Sequence, residues 1–108
     1  MIKDIIEKCA AFDVYEKRET KDGYFEVVFF NKDAEVWNKA LSDIMGPAAK
    51  LPGVKPSKED SLLTKDHGGI LANQILFKKK SCSSIVIAVF WPWRDGIHTT
   101  LKVVALIA

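Results

Sequence analysis

Apolar positions recur along this chain in two periods, one typical of helices and one typical of strands. Near the N-terminus they fall three or four residues apart, with charged residues between them: Ile2, Ile5, Ile6, Cys9 and Ala10. The same spacing returns after Asn31, a residue type favoured at helix N-caps: Ala34, Trp37, Leu41, Ile44 and Met45. Gly46-Pro47 then ends the second pattern. The sequence therefore predicts two amphipathic helices, each with one apolar face towards a core.

Runs of β-branched and aromatic residues, separated by turn-forming residues, predict five strands. Two runs flank Lys21-Asp22-Gly23 and two flank Arg94-Asp95-Gly96, so we expect two hairpins. Residues 70–79 supply another strand ahead of the last hairpin. This element order predicts an α+β fold, in which two helices cover one face of a five-stranded, mainly antiparallel sheet. A chain of 108 residues is long enough for one domain with one core.

The connection between the second helix and the third strand covers residues 46–69. Proline and glycine concentrate over residues 46–56, which predicts irregular structure there. Ser57-Lys58-Glu59-Asp60 has the spacing of a capping box, with Asp in place of the usual Glu. We therefore expect a further short helix near residues 58–65, ended by Gly68-Gly69.

The register of the last hairpin decides which of its faces is buried, because a slip of one residue reverses every side chain. A two-residue loop at Asp95-Gly96 would place Val89 opposite Lys102. A three-residue loop over residues 94–96 would place Val89 opposite Leu101. We expect the second register, because it turns nine large apolar side chains towards the helices: Ile85, Ile87, Val89, Trp91, Trp93, Ile97, Leu101, Val103 and Ile107.

The first hairpin poses the same choice of register. A two-residue loop at Asp22-Gly23 would place Glu19 opposite Glu26, and like charges in that position are destabilising. A three-residue loop would place Arg18 opposite Glu26 instead. We therefore expect a three-residue loop here as well, with Gly23 in the left-handed conformation.

With these registers, the second sheet face is apolar far from the last turn, where it carries Val86, Val104 and Leu106. A sheet face that meets water is expected to be polar. Either a second copy of the chain or the 46–69 connection must therefore cover this patch. We expect a twofold dimer, because such an interface uses the same patch from each subunit. Coverage by the connection is the alternative.

No complete catalytic, metal-binding or nucleotide-binding motif occurs in the sequence. His67 belongs to an Asp-His-Gly-Gly string, but the Gly-x-Ser-x-Gly turn of hydrolases is missing. His98 is expected on a strand, where an acid–base role is possible. Two histidines and two cysteines at unsuitable spacing do not predict a metal site, and Cys82 fits a polar turn. We therefore expect neither a metal nor a cofactor.

The charge of +2 divides unevenly along the chain. Residues 1–54 carry eight basic and ten acidic groups, and residues 55–108 carry eight basic and four acidic groups. The lysine run at 78–80 is the basic centre of the second half, but only two arginines are present, so nucleic acid is not the expected partner. Neither a signal peptide nor a membrane-spanning segment is predicted, which favours a cytoplasmic location.

The sequence thus predicts a small non-catalytic binding domain that self-associates through its second sheet face. One alternative is a small-ligand site or enzyme formed between that face and the 46–69 connection. A weaker alternative is a protein that binds an anionic polymer through its lysines. The residues expected to line the partner or ligand face are Phe90, His98, Thr100, Lys102, Val104, Leu106 and His67.

Overall fold

The computed structural model describes residues 1–81 and 84–107, so the hypothesis about Cys82 lies outside the described residues. The three helices are α1 (Ile2–Cys9), α2 (Ala34–Met45) and α3 (Lys58–Thr64). The five strands are β1 (Glu16–Lys21), β2 (Tyr24–Phe30), β3 (Ile75–Ser81), β4 (Ser84–Pro92) and β5 (His98–Ile107). Single 3-10 turns, Asn31–Asp33 and Lys65–His67, precede α2 and follow α3.

Within the described residues the strands form one antiparallel sheet in the order β1-β2-β5-β4-β3. The predicted α+β fold, element order and short helix near 58–65 are confirmed. As the capping-box spacing predicted, the Ser57 side chain accepts a hydrogen bond from the Asp60 amide at 3.1 Å. The third strand, however, begins at Ile75 and not at residue 70, because a turn at 72–74 intervenes.

The helices α1 and α2 pack on one face of the sheet and form the main core with it. This helix-packed face receives alternate side chains from β2, β4 and β5, as the pleat requires. The buried residues of this core include Phe25, Phe29, Trp37, Leu41, Phe77, Phe90, Leu101 and Val103.

The expected register of the last hairpin is wrong. Val89 lies opposite Lys102, and Phe90 lies opposite Leu101. On β5, Leu101 and Val103 face the helices as predicted. On β4 the two faces are exchanged relative to the prediction. Val86, Ala88 and Phe90 face the helices, and Ile85, Ile87, Val89 and Trp91 lie on the second face. The turn covers residues 94–97, between Trp93 and His98, whose backbones are hydrogen-bonded. The side chain of Asp95 holds this turn, since its Oδ1 accepts bonds from the amides of Ile97 (2.8 Å) and His98 (3.0 Å).

The first hairpin combines the expected register with the alternative to it. Near the turn Glu19 lies opposite Glu26, so the expected three-residue loop is wrong. A β-bulge at Arg18 then shifts the pairing by one residue, and Lys17 lies opposite Val27. Arg18 Nη1 lies 3.3 Å from a Glu26 carboxylate oxygen, and Arg18 Nε lies 3.0 Å from Glu16. The bulge therefore places the Arg18 cation beside Glu26, one of the two facing carboxylates.

The connection between α2 and β3 covers the β3–β4 side of the second sheet face. Its buried Ile70 joins a second apolar cluster with four strand residues: Leu76, Ile87, Val89 and Val104. Val86 lies on the helix-packed face, so the expected patch of Val86, Val104 and Leu106 is wrong as a single surface. The physical reason is that β4 is buried on both sides, by helices on one and by the connection on the other.

Candidate functional site

The sequence-predicted site residues do not gather in one place. Phe90 is buried on the helix-packed face. The predicted residues of β5 lie on the second face, where Val104 is buried and Leu106 is half-buried. His67 lies in the 3-10 turn after α3, within the connection. The structure therefore separates Phe90 from the other six by the thickness of the sheet.

His98 is engaged in holding the last turn. Its Nδ1 lies 2.5 Å from the Asp95 carboxylate, and its ring centroid lies 4.1 Å from that of Tyr15 and 4.9 Å from that of Trp93. Hydrogen bonding from His98, followed by that from the Ile97 amide, lowers the pKa of Asp95 below its ordinary value. These contacts indicate a structural role for the pair.

The side chains of Thr100 and Lys102 each contact a neighbouring tryptophan. The buried Thr100 hydroxyl accepts a hydrogen bond from Trp93 Nε1 at 2.8 Å. The Lys102 ammonium lies 4.1 Å from the centroid of the Trp91 ring, in cation–π geometry. Trp91 in turn packs against Gly68. These side chains therefore cover the sheet and pack against one another.

A cleft lies instead on the helix-packed face, at the end of the sheet where β3 and β5 begin. It has a volume of about 320 Å³. The strands β2 to β5, the start of α2 and the connection all contribute to its lining: Phe29, Asn31, Ala34, Pro52, Asn73, Ile75, Phe90, Pro92 and Thr99. Phe90 is the one residue of the predicted set that reaches this cleft.

The cleft has an apolar floor with polar groups beside it. The Phe29 and Phe90 rings meet edge to face, with centroids 5.5 Å apart. Next to them, the Thr99 hydroxyl donates to Asn31 Oδ1 at 2.6 Å, which fixes the orientation of the Asn31 amide. That bond uses the oxygen of the amide and leaves its nitrogen as a donor. An oriented donor beside an aromatic floor is suited to hold one polar end of an organic molecule.

The side of the cleft formed by the connection is fastened by the buried Lys50. Its ammonium donates to the carbonyl oxygens of Leu51 (3.0 Å), Ala72 (2.9 Å) and Gln74 (2.6 Å). Burial lowers the pKa of Lys50, and the charge of Asp60 opposes that shift. Because these carbonyls flank Pro52 and Asn73, the lysine holds both lining residues in place.

None of the nine described lining residues carries an ionisable side chain. General acid–base and nucleophilic catalysis depend on such groups, so this lining supplies neither. The nearby start of α2 adds the positive end of a helix dipole, which favours an electronegative atom in the cleft. The arrangement is suited to binding an organic molecule.

Sequence reasoning missed Asn31, Asn73 and Thr99 as members of a site. Asn31 was expected to cap α2, but a 3-10 turn comes first and the Asn31 side chain bonds to Thr99, 68 positions away. A pairing over that separation leaves no local pattern. The sequence signal for this site was limited to two polar residues, Asn31 just after β2 and Thr99 near the start of β5.

Comparison with known protein families, curated proteins and solved structures finds no match to this chain. Over residues 1–81 and 84–107, no helix has the length and apolar character needed to cross a membrane. The same residues contain no group of three or more His, Cys, Asp or Glu side chains placed to hold a metal ion. The geometry of the cleft is therefore the observation that points to a function.

Proposed function

We propose that this protein is a non-catalytic binding domain whose cleft takes a small, uncharged organic molecule with a hydrogen-bond acceptor. The observation that carries the proposal is the combination of an aromatic floor, the oriented Asn31 amide and a lining without ionisable groups. This proposal keeps the small-ligand alternative that the sequence suggested, but it places the site on the helix-packed face and not on the second sheet face.

The size and chemistry of the cleft support this class of ligand. Its volume of about 320 Å³ falls at the small end of ligand pockets, which are typically apolar with a few placed polar groups. Phe29, Ile75 and Phe90 would cover the apolar body of the molecule. The amide nitrogen of Asn31 and the positive end of α2 would both favour a carbonyl or ring nitrogen at its polar end.

The test is a thermal-shift screen of uncharged metabolites against the native chain. A ligand that binds only the folded state raises stability by about 2.7 kcal/mol at a hundredfold excess over its Kd. The exposed Asn73 offers a blocking variant, Asn73→Trp, which places an indole at the mouth of the cleft. Asn38→Trp, at an exposed position of α2 outside the lining, is the matched control.

We expect each genuine ligand to lose its shift in Asn73→Trp and to keep it in Asn38→Trp. Thr99→Val should weaken binding about fivefold to tenfold, because the Asn31 amide loses the bond that orients it. Shifts that survive equally in both tryptophan variants would contradict the proposal, as would a screen that yields no ligand.

Self-association through the second sheet face, in the cytoplasm, remains a separate proposal. Its remaining support is the half-buried pair Tyr24 and Leu106 at the end of that face away from the last turn. Sedimentation at micromolar concentrations tests it, with Leu106→Lys expected to dissociate the assembly. A monomeric native chain would contradict it.

A further inference from the structure

The strand β3 forms one edge of the sheet, and part of that edge has no backbone partner. In an antiparallel ladder, alternate residues of an edge strand turn their N–H and C=O groups away from the neighbouring strand. Leu76 is one of these residues, since its amide donates to the Lys50 carbonyl at 3.1 Å and its carbonyl accepts from the Lys50 amide at 3.2 Å. The same alternation turns the backbone groups of Lys78 and Lys80 outwards. Among the described residues, no further backbone segment pairs with these groups.

Positive charge marks this open edge on both faces of the strand. The Lys79 ammonium donates to the carbonyl oxygen of Ile44 at 3.1 Å, a neutral partner that leaves its charge uncompensated. Lys80 is exposed and forms no ion pair within the described part of the chain. Neighbouring residues of a strand point to opposite faces, so Lys79 and Lys80 place one cation on each side of the edge.

A groove of about 310 Å³ lies beside these lysines, where α3 passes over β3 and β4. Its lining is formed by Glu59, Leu63, Lys78, Lys79, Lys80 and Ile85. The Glu59 carboxylate lies 3.4 Å from the Lys78 ammonium, so the acidic group of the groove is already paired. Leu63 and Ile85 add half-buried apolar surface. The groove therefore has room for side chains of a strand added at this edge.

We propose that β3 accepts an extended segment of a partner protein as an added strand, and that this segment carries two adjacent acidic residues opposite Lys79 and Lys80. The outward N–H and C=O groups provide the backbone ladder, as in strand addition to other exposed sheet edges. The lysines select the charge, because opposite charges across a strand pair are favourable and like charges are unfavourable. A second copy of β3 would bring lysines against lysines and is disfavoured. This edge is separate from the cleft at Asn31 and does not depend on the function proposed for it.

The test uses a short fluorescent peptide, in which valine and threonine flank two adjacent glutamates, and an analogue with glutamine at both glutamate positions. Fluorescence anisotropy at low salt gives the affinities. We expect the acidic peptide to bind more tightly, by up to roughly fivefold for each charge pair. N-methyl groups on both glutamates keep the charges but remove the amide donor that faces β3, so they should abolish binding. Equal binding of the acidic and glutamine peptides, or full binding of the methylated one, would overturn the proposal.

Two lysines on opposite edges of the sheet provide the matched control for the location. Lys80 and Lys17 are both exposed, but Lys80 lies on β3 and Lys17 lies on β1. Lys80→Glu should weaken binding of the acidic peptide by roughly fivefold to tenfold, because an attraction becomes a repulsion. Lys17→Glu makes the same change in net charge and should leave the affinity unchanged. A loss confined to Lys17→Glu, or equal in both variants, would overturn the assignment to β3.

Amide exchange of the native chain separates strand addition from attraction between side chains alone. The acidic peptide should slow exchange at Lys78 and Lys80, whose amides point outwards, and leave the rate at Lys79, whose amide faces β4. Binding without slower exchange at Lys78 and Lys80 would overturn the proposal, as would failure of the acidic peptide to bind. Tighter binding of a single-stranded dT oligonucleotide than of the peptide would assign the lysines to nucleic acid and would overturn it as well.

Discussion

The rings of Phe29 and Trp37 lie stacked face to face, with centroids 5.0 Å apart and planes inclined by 9°. Phe29 lines the cleft, and Trp37 of α2 packs against it in the main core. Both side chains are almost fully buried. A well-packed aromatic pair of this kind transmits a shift of one ring to the other, because protein interiors have little free volume.

Replacing Trp37 should test how much the main core depends on this pair. We expect Trp37→Ala to lower the free energy of unfolding by about 3–5 kcal/mol, as for other large aromatic truncations in cores. Val36→Ala is the control, because Val36 is the neighbouring residue of α2 and is 50% exposed. Urea denaturation gives both values. A loss below about 1 kcal/mol in Trp37→Ala would contradict the core described above.

Gly68 is where the connection approaches Trp91 most closely. A Cβ at Gly68 would lie 2.1 Å from Trp91 Cη2, whereas a Cβ at Gly69 meets nothing within 4 Å. Both residues have positive φ, so the backbone strain of an alanine is common to the two sites. We expect Gly68→Ala to be less stable than Gly69→Ala by about 1–2 kcal/mol, because the indole must move. Thermal unfolding that ranks the variants equally would contradict this.

Lys50 should be required for the order of the cleft rim. In Lys50→Met the buried Gln74 carbonyl loses its lysine donor, while the Ala72 carbonyl still accepts from the Gly53 amide at 2.7 Å. We expect a stability loss of about 1–3 kcal/mol and faster amide exchange at Gly53. Lys55→Met, at an exposed position of the same connection, should change neither. An unchanged rate of amide exchange at Gly53 in Lys50→Met would show that Lys50 does not order this part of the connection.

The ion pair of Lys78 with Asp60 should make stability depend on pH in the alkaline range. Lys78 Nζ lies 2.8 Å from the buried Asp60 carboxylate, and this bond raises the pKa of Lys78 above its ordinary value of 10.5. A raised lysine pKa contributes stability that is full below pH 10.5 and is lost as pH rises through the folded-state pKa. Because Lys78 is partly exposed, the contribution at neutral pH should be about 1–2 kcal/mol.

The measurement for that pair compares Lys78→Met with Lys80→Met, an exposed lysine on the same strand. We expect only Lys78→Met to lose stability near neutral pH, and its difference from the native chain to shrink above pH 10.5. A difference that persists unchanged into strongly alkaline solution would show that packing, and not the ion pair, accounts for the loss.

Much of the architecture was predictable because it follows from short-range patterns. The helical period marked α1 and α2, Ser57 to Asp60 marked the start of α3, and the turn residues marked both hairpins. On β5 the alternation of Leu101 and Val103 with polar neighbours also indicated the buried side correctly. In each case the information lies within about ten residues of sequence, the range over which one element determines its own periodicity.

Only the tertiary structure decided the register of the last hairpin and the location of the cleft. Residues 85–91 of β4 are apolar at every position, so the sequence does not indicate which side chains face the helices. The packing of the connection against Ile87 and Val89 accompanies the observed register. Asn31 and Thr99 meet across 68 residues, and Lys50 reaches carbonyls more than twenty positions away. The local sequence determines where helices and hairpin turns form, because their hydrogen bonds join residues a few positions apart. How two faces are covered depends on packing between distant segments, and no local pattern records it.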